Sequence, residues 1–152
     1  MSAECRFCTF YLGRLWFGIA VERVQEVISA PAITPVPLAP RAFAGLINLR
    51  GQIVTVIDLL GRLGIEKSTG HKPAAIVVVR NENALVGLLV DEIGEVVEAP
   101  ENTCEVAPGN LPVESQGLVP AVGKFPRRLL HLLDLNKVLG ADTEVQSGKA
   151  VK

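Results

Sequence analysis

Two stretches, GIAVERVQEVISAPAIT (Gly18–Thr34) and GLLVDEIGEVVEAPENT (Gly87–Thr103), align without a gap. Gly18 falls on Gly87, Val21 on Val90, Glu26 on Glu95, Val27 on Val96, Ala30-Pro31 on Ala99-Pro100 and Thr34 on Thr103. The likeness continues downstream: Gly45-Leu46-Ile47 through Gly51 is matched to Gly117-Leu118-Val119 through Gly123. After a short insertion, VIDLLGRLG (Val56–Gly64) is matched to LLDLNKVLG (Leu132–Gly140). A fixed internal period means one supersecondary unit used twice, here a unit of about 70 residues. The polar stretch GIEKSTGHKP (Gly64–Pro73) joins the copies. The expected organisation is a first lobe over 1–72, a second over 73–140 and a loose tail over 141–152.

Each copy reads as mostly β. FCTFYL and LWFGIAV flank Gly13-Arg14, and AAIVVV and ALVGLLV flank Asn81-Glu82-Asn83. These runs are β-branched and aromatic, and Gly or Asn at their turns supplies the positive φ that tight hairpins need. VERVQEVI has helix-like apolar spacing, but its counterpart VDEIGEVV carries Gly94, so both read as strands with a bulge or bend. Pro31, Pro35, Pro37 and Pro40 then force an extended crossing. Short strands in two copies, with no long amphipathic helix, point to two small antiparallel barrels packed together.

Composition limits the function. Of 152 residues, 49% are hydrophobic, enough to bury a core, and 15 basic residues against 16 acidic give a net charge of -1. No Lys/Arg run could neutralise a row of phosphates, so nucleic acid is not an expected partner. No apolar run approaches the ~20 residues of a membrane span, and MSAECRFC is no secretory signal, so a soluble cytoplasmic chain is expected.

The residues offer little chemistry. Asp58 and Asp134 occupy the same place in the two copies, each before a short helical turn ending in Gly64 or Gly140, and read as helix N-caps. His71 lies in the polar linker, and His131, in LLHLL, reads as a strand residue. A nucleophile elbow and a phosphate-binding glycine loop are both missing, so no catalytic residue and no cofactor are expected. Cys5, Cys8 and Cys104 leave an alternative reading as a thiol or metal protein, weakened by scattered ligand candidates. A generic β interaction module is a further alternative.

Arg50 stands apart. NLRG (Asn48–Gly51) reads as a short hairpin loop with Gly51 in the left-handed position. In the second copy PAVG (Pro120–Gly123) is matched to it, which puts Val122 where Arg50 stands. If that turn forms without a cation, the planar guanidinium of Arg50 is free to meet a carboxylate on another protein. Otherwise Arg50 is a solvated tip residue.

FGIAVERVQEVI, PAITPVPLAPRAFAGLINLRGQIVTVIDL, AAIVVVR and GLLVDEIGEVVE resemble the CheW-like domain of bacterial chemosensory systems, over about residues 7 to 140. The resemblance implies two SH3-like five-stranded β-barrels around a shared hydrophobic core. It implies a non-enzymatic adaptor that couples the cytoplasmic tip of a chemoreceptor (a methyl-accepting chemotaxis protein) to the regulatory domain of a CheA-type histidine kinase. Such a protein would sit in membrane receptor arrays through its partners. Carried over by position, Val24, Glu26 and Arg50 would contact partners, while Gly45 and Gly51 would shape the backbone. Because the chain ends soon after its second copy, it resembles a stand-alone coupler. An apolar groove between the lobes would receive a helical receptor tip, and a barrel end would pack on the kinase domain.

Overall fold

The computed structural model describes residues 4–29, 32–39, 42–65, 73–82, 84–100, 104–106, 115 and 117–139. The tail over 141–152, the linker positions 66–72 with His71, and Pro31 and Pro40 lie outside the described residues.

Among the described residues, the β-branched and aromatic runs form eleven strands. In chain order they are β1 (Glu4–Leu12), β2 (Leu15–Ala20), β3 (Val24–Ser29), β4 (Phe43–Leu49), β5 (Gln52–Asp58), β6 (Ala75–Asn81), β7 (Ala84–Val90), β8 (Glu92–Pro100), β9 (Cys104–Val106), β10 (Ala121–Phe125) and β11 (Arg128–Leu132). A 3₁₀ turn, Val21–Arg23, precedes β3. Helix α1 (Leu59–Leu63) follows β5, and α2, residues 135–139, follows β11.

Pairing does not stay within the copies. One sheet runs β8-β1-β2-β11-β10-β9 and the other β3-β6-β7-β5-β4. Each sheet thus takes the opening hairpin of one copy and the later strands of the other, so strands cross the sequence boundary at 72/73 in both directions. The exchange is symmetric. β2 joins β11 in parallel with Phe17 opposite His131, and β7 joins β5 in parallel with Val86 opposite Thr55. Both sheets curl into barrels. The chain leaving β3 returns to bridge Thr34 to Leu46 on β4, and β9, which follows β8, pairs with β10 in the same way. Five strand positions therefore surround each barrel. Closure removes edges that so apolar a chain would otherwise present.

Two cores result. The larger lies between the barrels and holds Phe10, Leu12, Phe17 and Ile19 from the first hairpin with Val77, Val79, Val86 and Leu88 from the second. Leu59, Leu60 and Leu63 of α1, with Leu135, Val138 and Leu139 of α2, belong to the same core. The smaller fills one barrel with Ile47, Val54, Val56, Ile76, Val78 and Leu89. Strand β6 is consequently buried on both faces over Ala75–Val79.

The bulge expected in VERVQEVI and VDEIGEVV occurs in both. On β3 it lies at Gln25, between the pairs Val24–Val79 and Glu26–Val78; on β8 it lies at Gly94-Glu95, between Cys8–Val96 and Phe10–Ile93. Thr9 fills the second, its hydroxyl donating to the Glu95 carbonyl. The expectation for the two aspartates divides. Asp134 caps α2, accepting from the Lys137 amide at 3.2 Å. Asp58 sits at the N-cap of α1 with extended backbone but without a side-chain cap hydrogen bond. There the chain direction is held by its own amide, which donates to Ala42 at 2.7 Å.

Gly45 has φ +144°, and a Cβ there would overlap the Thr34 carbonyl oxygen and stand 2.8 Å from Ile33 Cγ2. The barrel-closing bridge therefore depends on a bare backbone at this position. Gly51 has φ +86° but open space around it. Gly45→Ala is expected to cost about 2–4 kcal/mol in urea unfolding, from strain and clash together. Gly51→Ala should cost only about 1–2 kcal/mol, from the left-handed backbone alone. Equal losses would count against a special closure at Gly45.

Candidate functional site

The β4–β5 hairpin pairs Leu49 with Gln52, leaving Arg50 and Gly51 as its two loop residues. Their φ values of +52° and +86° are those of a type I′ turn, whose twist matches the flanking strands. Asn48 fixes the turn by accepting from the Gly51 amide through its Oδ1 at 2.8 Å.

Arg50 meets a carboxylate of its own chain. Its Nη1 donates to Glu26 Oε1 at 3.2 Å and its Nη2 to Glu26 Oε2, a two-pronged contact from the hairpin tip to β3. Charge-assisted pairing of this kind fixes direction as well as distance. The Arg50 side chain stays 66% exposed and Glu26 27% exposed, so the pair lies open to solvent and contributes little to stability. The hydrogen bond from Arg50 holds the Glu26 carboxyl below the usual glutamate range, with the guanidinium charge acting in the same direction and desolvation opposing.

The second copy is no control for this turn. Val122 is not in a loop; it lies within β10, 3% exposed, opposite His131 and Glu105. The equivalent two-residue loop is Pro126-Arg127, between the paired Phe125 and Arg128. Backbone bonds fix the equivalence, since Asp58 donates to Ala42 as Asp134 donates to Leu118. The extra residues of the second copy thus lie before β10, not after the turn. Both lobes carry an arginine at this tip, Arg50 in one and Arg127 in the other, each at positive φ.

Val24 is half-buried and packs against the inter-barrel core. The bulge at Gln25 separates it from Glu26 and lets Glu26 reach the hairpin tip. Beside the ion pair lies a groove of about 350 Å³, lined by Gln25, Gln52, Arg80, Glu82, Ala84 and Leu85. It belongs to one barrel and its lining is mainly polar, unlike the apolar inter-lobe groove expected. Arg80 Nη2 donates to Gln25 Oε1, and Arg23 braces the same face by donating to the Arg80 carbonyl at 3.2 Å and to Asn136 Oδ1 at 3.1 Å. Arg23 and Arg80 escaped the sequence reading. Arg80 ends the apolar run AAIVVVR, the same signal that drew attention to Arg50.

The thiol and metal reading gains no geometry. Cys8 is buried, and burial pushes its thiol pKa up, away from reactivity. Cys5 lies on β1 opposite Ala99, and Cys104 lies on β9 opposite Gly123; their side chains are outside what is described. His131 is a buried strand residue, its Nδ1 2.9 Å from the Trp16 carbonyl oxygen. Among the described residues no three His, Cys, Asp or Glu side chains gather as a metal cluster, and no helix is long and apolar enough to cross a membrane.

The family model of the CheW-like domain matches residues 6–143. The chain is 35% identical to the chemotaxis protein CheW of Thermotoga maritima over 138 residues, covering 90% of this chain and 88% of that protein. It is 29% identical to the chemotaxis protein CheW of Bacillus subtilis over 147 residues, covering 94% of each. The crystal structure of the scaffolding protein TtCheW from Thermoanaerobacter tengcongensis superposes with a TM-score of 0.78 at 30% identity, covering 89% of this chain and 92% of that one.

A carboxyl whose folded pKa is depressed contributes stability above its unfolded pKa and loses that contribution as pH falls through the folded value. The Arg50–Glu26 contact should therefore persist through the ordinary glutamate pKa of about 4.3 and dissolve only as pH falls through the lower folded value. A side-chain carboxyl NMR titration should place the Glu26 midpoint below the ordinary value, and Arg50→Ala should move it upward. An unmoved midpoint in the variant would mean that the pair does not form in solution.

Proposed function

This chain belongs to the CheW-like domain family, non-enzymatic scaffolds of chemotaxis signalling, and from that premise we propose that it joins a chemoreceptor's cytoplasmic tip to the regulatory domain of a CheA-type histidine kinase. The observation that carries this reading is the match of the family across both barrels, residues 6–143. The chain itself does no chemistry in this role. It transmits receptor state by holding two partners at fixed separation and orientation.

In the proposed assembly the Arg50–Glu26 edge and the polar groove beside it form one contact surface, with Val24 supporting Glu26 from the core side. A two-pronged ion pair that remains open to solvent can exchange a partner's polar groups for water at low cost, and it fixes register more than it adds affinity. Gly45 and Gly51 serve this surface as backbone-shape residues, the first by allowing barrel closure and the second by completing the turn. The second partner is placed at a barrel end, where a like fold could pack in pseudo-symmetric fashion. Association with membrane receptor arrays then follows through the receptor, without insertion of this chain.

Co-sedimentation with a receptor-tip fragment and a kinase regulatory domain tests the reading directly: both should pellet with this chain. Arg50→Ala should weaken one of the two associations about tenfold, with the melting temperature shifted by no more than about 2 °C, as for an exposed pair. A large loss of stability with intact binding would make Arg50 structural, and failure to bind either partner would remove the adaptor assignment.

A further inference from the structure

The basic run GKFPRRLL (Gly123–Leu130) has no role in the adaptor reading above. It forms the β10–β11 hairpin, and its tip is built differently from its counterpart. Arg127 takes the position of Gly51 and holds φ +71°, a backbone that suits glycine far better than arginine. Arg128 follows, its guanidinium 3.5 Å from the centre of the Trp16 ring and its Nη1 donating to the Tyr11 hydroxyl at 2.7 Å. Phe125 packs edge-on against the same indole, with ring centroids 5.2 Å apart. Arg14, at the β1–β2 turn, stands two residues before Trp16, as Arg128 stands two before Leu130, and Trp16 and Leu130 are partners in the parallel pair. Three exposed arginines therefore share one end of this barrel.

The two lobes differ in how they treat this charge. In the first, Arg50 is answered by Glu26. In the second, the counterpart Glu95 is exposed on β8, and among the described residues neither Arg127 nor Arg128 forms an ion pair. Trp16 and Tyr11 orient the Arg128 fork without neutralising it. A guanidinium fixed in direction and without an ion pair among the described residues is prepared for a carboxylate, the group that Arg50 holds at the other hairpin tip.

We propose that the Arg14–Arg127–Arg128 end of this barrel docks a short, carboxylate-rich segment of a partner protein, a surface separate from the Arg50–Glu26 edge and beyond the coupling role proposed above. Three arginines are too few to follow a row of phosphates, and a chain with net charge -1 gains little from a polyanion at large, so a short acidic peptide fits better than nucleic acid or an anionic lipid surface.

Fluorescence anisotropy with a labelled glutamate-rich decapeptide tests this without receptor or kinase, so its outcome is independent of theirs. The intact chain should bind the peptide at low ionic strength, lose it steeply as salt rises toward about 0.15 M, and ignore the same peptide with glutamine for glutamate. Arg127→Gly should weaken binding about tenfold while leaving the melting temperature equal or higher, because glycine suits the turn. Equal binding of the two peptides, unchanged affinity in Arg127→Gly, or a lowered melting temperature in that variant would overturn the proposal. So would a preference for phosphatidylserine vesicles or duplex DNA over the peptide.

Discussion

Two hairpins, β1–β2 and β6–β7, are covered on both faces, and the architecture depends on that burial. Each hairpin belongs by sequence to one copy and by hydrogen bonding to the other. Phe10, Leu12, Phe17 and Ile19 from one side meet Val77, Val79, Val86 and Leu88 from the other in a single core. Removing either hairpin would strip a sheet of two strands and expose a face of the remaining one. Each side chain in that core contributes about 1.5–3 kcal/mol through burial, so the interlock outweighs any surface contact described here. A body tied in this way suits the scaffold role proposed above, in which two partners are held at a fixed spacing.

On that frame the features of the proposed contact surface are small and local. The bulge at Gln25 re-aims Glu26, the I′ turn raises Arg50, and the two meet across the mouth of one barrel. Nothing in the core needs this ion pair, since both side chains keep contact with solvent. The opposite lobe repeats the hairpin with Pro126-Arg127, and its charge is oriented by an aromatic platform in place of a carboxylate. The two hairpin tips thus occupy equivalent places in the repeat but differ in turn residues and in electrostatic surroundings.

Much of this was legible in the sequence. The Gly18–Thr34 repeat, the hairpins around Gly13-Arg14 and Asn81-Glu82-Asn83, the doubled bulge and the all-β two-barrel class follow from period, turn chemistry and β-branching. The exchange of hairpins was not legible, because two copies with similar strands offer nearly the same pairing choices within and between themselves. The Val122 equivalence failed for a related reason. The shared glycines align Gly45 and Gly51 with Gly117 and Gly123, whereas the backbone bonds at Ala42 and Leu118 set Gly45 on Ala121 and Gly51 on Arg127, where no glycine marks the register. Glu26 was recognised as a repeated acid and Arg50 as an unusual cation, yet their pairing depends on barrel closure, which local patterns do not encode. The helix caps show the same limit: both aspartates occupy the expected place, and only Asp134 finds its amide.

Interlocked hairpins should make the two copies one cooperative body. Native-state hydrogen exchange in rising denaturant tests it most directly, comparing slow amides of β1 with those of β6. Phe10 and Val77 should exchange with one free energy and one denaturant slope, that of global unfolding. Two distinct free energies, each with its own smaller slope and each confined to one barrel, would show that the barrels open independently and would contradict the interlock.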